Sequence, residues 1–400
     1  MDNIFNRIRY TEQIMRFKNK PIIKVLTGQR RVGKSYLLQQ VKETIGNQEP
    51  DSNYIYLNKE NIRFDFVKTG VDLFNYVESQ RRKGVTNYVF IDEIQEIKEF
   101  EKGIRSLLLE NEYDIYCTGS NANMLSGELA TFLSGRYIEI PVYSLSYPEF
   151  LEFHRLENSP AALQKYLRYG GMPFLRHLEL TDEIVFDYLK GVFNTVIYRD
   201  IIRRFDIRNS VFLENLSLFL ADNIGQLFSA NRISNYLKSQ QTPVTVSQII
   251  NYLGYLTQSY LIQKVRRFDI VGKCLFEVGE KYYFEDIGLR NAIFEYKQTD
   301  ISKIMENVVF NHLKYCGFDI SVGYVGKAEV DFVARKQGET LYLQVCYLLN
   351  DQSTIDREFG NLEKVKDNYQ KMVVSMDDFA GNTRNGIKHI RLIDFLSSDW

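Results

Sequence analysis

Eight consecutive residues, Gly28-Gln29-Arg30-Arg31-Val32-Gly33-Lys34-Ser35, match the pattern GxxxxGK[ST] in full. Each fixed position meets a physical need. Glycines let the backbone curl until successive N–H groups point at phosphate oxygens, helped by the positive end of a following helix. The lysine brings a point charge to the β- and γ-phosphates, and the hydroxyl after it is a ligand for Mg²⁺. The segment follows an apolar run, Ile22–Leu26, and opens a helical stretch, Tyr36-Leu37-Leu38-Gln39-Gln40-Val41. That strand–loop–helix setting separates a phosphate loop from an ordinary glycine turn. Gly28 through Tyr36 are therefore the expected nucleotide contacts, with Arg31 turned toward solvent or a neighbouring subunit.

Two acids supply the other half of such a site. Tyr88-Val89-Phe90-Ile91 reads as a buried parallel strand that ends in Asp92-Glu93. Asp92 is placed to hold Mg²⁺ together with Ser35, and Glu93 to polarise an attacking water. A further run, Ile115-Tyr116-Cys117-Thr118, ends in Gly119-Ser120-Asn121. In P-loop ATPases with an additional strand, a polar residue there touches the γ-phosphate or the water, which makes Ser120 and Asn121 candidates. Arg136, just before the run Tyr137–Val142, is a candidate to stabilise charge on the transferred phosphoryl group, within the chain or across a subunit boundary. A plain surface arginine is the competing reading. Together these residues predict an ATPase that uses ATP and Mg²⁺ and releases ADP and phosphate.

The elements that must position this chemistry alternate in type. Between Pro21 and about Pro148, the apolar runs Ile22–Leu26, Tyr54–Leu57, Tyr88–Ile91, Ile115–Thr118 and Tyr137–Val142 are interleaved with amphipathic stretches at Tyr36–Thr44, Leu73–Arg81 and Phe100–Leu109. Such alternation predicts an α/β fold, a parallel sheet with helices on both faces. From about Ser159 to Gly225 the spacing turns to 3.6 residues. Phe186, Leu189, Val192, Phe193, Val196, Ile197 and Ile201 share one helical stripe. The last hundred residues return to mixed α/β, with a helix over Ile304–Tyr315 and strands at Val330–Ala334 and Leu341–Leu348. The expected division is a P-loop core at 1–155, a helical lid or linker at 156–225, a third segment at 226–298 and a fourth at 299–400.

Charge and cysteine usage narrow the partners and the compartment. Fifty basic residues against 51 acidic ones leave a net charge of −1, so nucleic acid would have to be held by a local basic patch. Cys117, Cys274, Cys316 and Cys346 are far apart, and His154, His177, His312 and His389 are equally scattered. That pattern argues against a zinc site or a disulfide framework and for reduced cytosol. The N-terminus lacks the apolar core of a signal peptide, and no stretch approaches the roughly 18 apolar residues of a membrane span. A cytoplasmic protein with no membrane contact is expected.

The order GQRRVGKS, YVFIDEIQEI, TGSNANML, SGRYIEIPVYSLSYPEF and YGGMPF resembles that of the prokaryotic AAA-type ATPases. These carry a C-terminal domain of unknown function combining a winged helix with a PD-(D/E)XK nuclease-like fold. The resemblance runs through nearly the whole chain, with YYFEDIGLRNAIF and EVDFVARKQGETLYLQV falling in the C-terminal part. It implies ATP binding, hydrolysis and a cytoplasmic location, a winged helix at 226–298, and a degenerate nuclease-like domain at 299–400. Within the winged-helix segment, Arg232–Lys238 supplies one helix and Thr245-Val246-Ser247 caps a second after the turn Gln241-Thr242-Pro243. Val265–Phe268 and Lys281–Phe284 supply the wing strands. Arg266, Arg267, Lys273 and Lys281 make the stretch basic, which offers DNA as a partner.

Glu306 on a helix and Asp331 at a strand end resemble the skeleton of the nuclease site. Such a site needs two acids on one metal and a lysine beside the attacking water. Where the pattern has E-x-K, this chain has Gln344-Val345-Cys346, and Lys336 and Lys364 lie off that spacing. Cleavage is therefore disfavoured relative to a degenerate binding module. Three functions follow: an ATP-driven switch acting on DNA or a protein, a non-hydrolysing ATP-gated binding module, and an ATP-controlled nuclease. A homo-oligomer is the assembly in which Arg136 would act across a boundary. The basic string Tyr198–Arg204 is open to reading as a DNA- or subunit-facing surface, or as a solvated helix face.

Overall fold

Strands that are apolar on both faces need cover on both faces, and the N-terminal part of this chain provides it. The computed structural model describes residues 5–122, 135–239, 244–377 and 383–400. They fall into two compact units, Met1–Tyr143 with Gln258–Tyr260, and Ser144–Thr257 with Leu261–Trp400.

In the first unit, helix α1 (Ile8–Met15) precedes β1 (Ile23–Thr27), α2 (Lys34–Gln48), β2 (Asn53–Asn58), α3 (Gly70–Ser79), β3 (Asn87–Asp92), α4 (Phe100–Leu109), β4 (Tyr113–Gly119) and β5 (Tyr137–Pro141). All five strands run parallel in the order β2-β3-β4-β1-β5. The three central strands β1, β3 and β4 are buried along their whole length, whereas the outer β2 and β5 are only partly buried. Alternate residues feed opposite faces. Ile23, Val25, Val89, Ile91, Ile115 and Cys117 join Leu73 and Val77 of α3 and Ile104 and Leu107 of α4 in one apolar cluster. Helix α3 is fixed at its start by a capping box, in which Asp72 N donates to Thr69 Oγ1 at 3.2 Å and Thr69 N to Asp72 Oδ2 at 2.9 Å.

The alternate positions hold a polar network instead. Lys24 of β1, fully buried, pairs with Asp114 of β4, which also accepts from Tyr116 Oη at 2.8 Å and from Asn19 N at 2.9 Å. Burial lowers the Lys24 pKa, and the Asp114 charge opposes that shift. Breaking either partner would strand a buried charge, so the pair fixes β1 against β4 in one register. That register sets the site, because the C-terminal ends of β1, β4 and β3 then fall side by side along one edge of the sheet.

The second unit begins with helices α5 (Tyr147–His154), α6 (Pro160–Tyr169), α7 (Asp182–Thr195), α8 (Ser210–Asp222), α9 (Ala230–Ser239) and α10 (Val246–Gln258). The expected helix through Ile201 is α7 followed by a π-helical stretch, Val196–Ile202. The wider turn keeps Val196, Ile197 and Ile201 buried and brings Asp200 into the buried row, 4.0 Å from Arg204. Within the expected basic string, then, Asp200 and Ile201 belong to the interior, while Tyr198 stays exposed and donates to Glu214 at 2.7 Å.

Strands β6 (Ile262–Asp269) and β7 (Cys274–Phe284) form the expected antiparallel hairpin. They are followed by α11 (Ile287–Ile293), α12 (Ile301–Tyr315), β8 (Asp319–Val325), β9 (Ala328–Lys336), β10 (Glu339–Val345), α13 (Gln352–Glu363), β11 (Gln370–Ser375), β12 (Thr383–Arg384), β13 (Ile387–Arg391) and α14 (Leu392–Leu396). The hairpin does not stand alone. β6 pairs parallel with β8 through Arg267↔Val322, giving one eight-stranded mixed sheet in the order β12-β13-β11-β10-β9-β8-β6-β7. The turn expected at Gln241-Thr242-Pro243 lies outside the described residues. Among the described residues, no helix is long and apolar enough to cross a membrane.

Candidate phosphate-binding site

The loop between β1 and α2 folds as its glycines require. Gly28 has φ 143°, and a Cβ placed there would lie 2.2 Å from the Val142 carbonyl oxygen, so only glycine lets the loop pass this close. Gly33, at φ 95°, ends the loop and begins α2. Arg7, ahead of α1, braces the loop from outside by donating to the carbonyls of Val32 at 3.1 Å and Tyr143 at 2.9 Å. Lys34 is buried, with Nζ donating to the carbonyls of Gly28 and Gln29 at 2.8 Å each. Its ammonium is thus held over the loop by weak neutral acceptors, which a phosphate outcompetes. Arg31 and Tyr36 project outward, Tyr36 being 74% exposed. The sequence anticipated that direction for Arg31.

Ser35, Asp92 and Thr118 meet across the ends of α2, β3 and β4. Ser35 Oγ donates to Asp92 Oδ1 at 3.0 Å and Thr118 Oγ1 to the same oxygen at 2.6 Å. The second carboxylate oxygen, Asp92 Oδ2, is buried without a partner. Burial pushes the Asp92 carboxyl up and the neighbouring Glu93 charge adds to this, while Thr118, Ser35 and Lys34 work against it. An orphaned carboxylate oxygen beside a serine hydroxyl fits a hard cation such as Mg²⁺, which takes oxygen ligands and usually completes its shell with phosphate and water. Among the described residues no group of three or more His, Cys, Asp or Glu side chains is placed to hold a metal. An ion here would therefore share Ser35 and Asp92 with the nucleotide.

Glu93 leaves β3 in the left-handed region, φ 55° and ψ 52°. That conformation is sparsely populated for a residue with a Cβ and typical of constrained sites. Its N–H donates to Thr118 Oγ1 at 2.9 Å, and its Oε2 accepts from Ser120 Oγ at 3.2 Å and from Gln95 Nε2. Burial works against its charge, but Lys34, Arg30, Gln95 and Ser120 outweigh burial and hold the carboxyl below its ordinary value. Glu93 is thus an ionised carboxylate at neutral pH, the state a base must have. Arg30, buried within the loop, lies 3.1 Å from Glu60 and 4.0 Å from Glu93. Gln29 keeps both polar side-chain atoms buried and unpartnered.

The expected residues thus divide. Gly28, Arg30, Lys34, Ser35, Asp92, Glu93 and Ser120 come together. Asn121 lies just past β4, half-buried. Arg136 is exposed at the opposite end of the sheet, where its carbonyl accepts from Ile23 N at 2.9 Å. Roughly 16 Å of strand, at 3.3 Å per residue, separates that end from the loop, so Arg136 does not serve the loop of its own chain. Sequence reasoning missed Thr118, Gln95, Glu60 and Arg7. Thr118 was legible in principle, as the polar residue just before Gly119 in an otherwise apolar strand.

The second unit assembles its own charged cluster. Lys281 of β7 is 3% exposed, 2.9 Å from Glu306 of α12 and 2.7 Å from Glu329 of β9. Tyr283 Oη also donates to Glu306 at 2.6 Å. Asp331 Oδ2 accepts from Val345 N at 2.8 Å, and burial pushes its carboxyl well up, with the Glu306 charge adding to the shift. Gln344 accepts from Asp331 N at 3.0 Å and donates to Glu358 at 2.9 Å. Lys281, expected on a basic surface, is therefore interior: two carboxylates compensate its charge and remove it from any DNA-facing set. Arg267 lies over the Tyr324 ring at 3.9 Å.

Two family models match the chain. One, described as an AAA domain, covers residues 20–151, and the other, a domain of unknown function, covers 160–300. An uncharacterised protein of Haemophilus influenzae is 36% identical over 400 residues, covering 98% of each chain. An uncharacterised protein of Methanocaldococcus jannaschii is 32% identical over 365 residues, 86% of this chain and 79% of its own. Among solved structures, the Walker-type ATPase of Pyrococcus abyssi is similar in fold, with a TM-score of 0.51 at 16% identity over 72% of this chain and 95% of that one.

Proposed function

Because the chain belongs to the AAA-type P-loop ATPases, we propose that the loop Gly28–Ser35 binds ATP with Mg²⁺ and that the site hydrolyses it to ADP and phosphate. What supports this reading most is the orphaned Asp92 Oδ2 beside the Ser35 hydroxyl, at the mouth of a loop only glycine can form. The loop amides and Lys34 bind the β- and γ-phosphates. Ser35 and Asp92 hold Mg²⁺, which when bound neutralises charge on those phosphates. Glu93, ionised and tethered by Ser120 and Gln95, takes a proton from water as the water oxygen bonds to the γ-phosphorus. The bond from that phosphorus to the β–γ bridging oxygen breaks, and its electron pair leaves with ADP.

The finer role is that of a nucleotide-driven switch on DNA or a protein, with the second unit as the responding part. In this reading the helices α9 and α10 with the β6–β7 hairpin act as a winged helix, and residues 299–400 as a nuclease-like domain that does not cut. Asn121 contacts the γ-phosphate or the water from the end of β4. Arg136 acts, if at all, on a neighbouring copy in a homo-oligomer.

Calorimetry with Mg-ATP and a phosphate-release assay test the core of the proposal. Wild type binds and turns over, Lys34→Ala loses binding, and Glu93→Gln keeps binding while turnover stops. Native-rate hydrolysis by Glu93→Gln would remove Glu93 from its role, and no nucleotide affinity in the wild type would remove the whole reading.

A further inference from the structure

Arg30 sits in the middle of the phosphate loop, yet its charge points at acids. Its guanidinium is buried, with Nη1 3.1 Å from Glu60 Oε1 and Nη2 4.0 Å from Glu93 Oε2. The Glu60 carboxylate is 42% exposed, and an ion pair with so wet a partner is weak and readily exchanged. The contact with Glu93 is too long for a hydrogen bond and acts through charge alone. Arg30 is therefore a loosely committed cation between the proposed base and the place the loop gives to phosphate. Guanidinium binds a phosphate through paired N–H groups, a stronger arrangement than either acid now offers it.

We propose that Arg30 is a positioning residue that reads the γ-phosphate. Without a triphosphate it leans on Glu60 and Glu93. With one it swings onto the γ-phosphate oxygens, and Glu93 is left with Ser120 and Gln95, free to accept the proton of the attacking water. The inference deepens the ATPase reading and rests on it. It also explains why an arginine occupies a place in the loop where the GxxxxGK[ST] pattern demands nothing. ADP, lacking the γ-phosphate, leaves Arg30 on the acids, so this residue makes the site discriminate ATP from ADP.

The test is calorimetry of the full chain with Mg-ATPγS and Mg-ADP, paired with ATP turnover, in wild type, Lys34→Ala, Arg30→Gln, Arg30→Lys and Glu60→Gln. Arg30→Gln is expected to weaken ATPγS by about 10- to 100-fold, the scale of a lost charged hydrogen bond, and ADP by less than about threefold. Arg30→Lys restores part of the ATPγS affinity, because the charge remains, but not kcat, because the planar fork is gone. Glu60→Gln, at a half-exposed position that keeps the fold even where Arg30→Gln does not, strengthens ATPγS by a few-fold and leaves ADP unchanged. Equal losses for both nucleotides in Arg30→Gln, or no change in selectivity in Glu60→Gln, overturn the inference while the ATPase reading stands. Wild type that binds neither nucleotide, indistinguishable from Lys34→Ala, overturns both.

Discussion

Two buried lysines, one in each unit, meet carboxylates in opposite ways. Lys34 touches no carboxylate closely. It spends its hydrogen bonds on the carbonyls of Gly28 and Gln29, while Asp92 beside it keeps one oxygen unpaired. Lys281 is closed on two carboxylates at 2.9 and 2.7 Å, with Tyr283 sealing the same Glu306 oxygen. Unsatisfied polar atoms cost stability unless a ligand repays them, and saturated ones leave a ligand nothing to do. The first cluster is built to receive charge and the second to neutralise it. A lysine supplied by β7, where the nuclease-like pattern needs a metal between acids, supports the reading of residues 299–400 as a binding module that does not cut.

The largest effect should come from exchanging the consequences of the two lysines. Lys281→Met leaves Glu306 and Asp331 buried without their cation, and removing one partner of a buried pair costs about 3–5 kcal/mol. Lys34→Met breaks only bonds to carbonyls, so its stability should change by less than about 1 kcal/mol, while nucleotide affinity disappears. Urea denaturation alongside Mg-ATP calorimetry reads both. Comparable stability losses for the two variants would erase the distinction between an open and a closed cluster.

The sequence discloses these two regions unequally. The phosphate loop, β1, β3 and the pair Asp92-Glu93 were readable because contiguous residues carry the chemistry: the loop's own backbone makes the cradle. Thr118 and Arg30 were harder, since their partners come from other strands and only the order β3-β4-β1 brings them together. Lys281 was misjudged for the same reason. In a run with Arg266, Arg267 and Lys273 it reads as surface charge, and only the parallel pairing of β6 with β8 carries the hairpin into the sheet and its lysine into the interior. Arg136 shows the converse. Its spacing from the motifs fits a catalytic arginine, but the parallel pairing Ile23↔Tyr137 puts it at the far end of the strand from the loop.

The pH dependence should differ in sign between the clusters. Asp331 has its folded pKa raised by burial, so the folded chain binds a proton that the unfolded chain has lost. That stability is present below the unfolded value of about 4 and declines as pH rises from there toward the raised folded value, by at most about 1.4 kcal/mol per pH unit. Glu93, with its folded pKa lowered, does the reverse: its contribution is present above the unfolded value and is lost as pH falls through the folded one. Asp331→Asn, which carries the neutral form at every pH, should flatten the decline between pH 5 and 8. Denaturation midpoints across that range measure it, and a variant curve parallel to wild type would mean that Asp331 stays ionised in the fold.

The smallest effect should be at the rim of the closed cluster. Glu329 is 32% exposed where Glu306 is half as exposed at 16%, so solvent already screens much of its attraction for Lys281. Glu329→Gln leaves Lys281 paired with Glu306 and keeps a carbonyl oxygen within reach, and should cost less than about 1 kcal/mol. Glu306→Gln removes the deeper partner, and with it the acceptor of both Lys281 and Tyr283, so its cost should be severalfold larger. Equal costs would mean that the two carboxylates share Lys281 evenly, and the closed cluster would then be a surface ion pair extended inward rather than a buried one with a solvated edge.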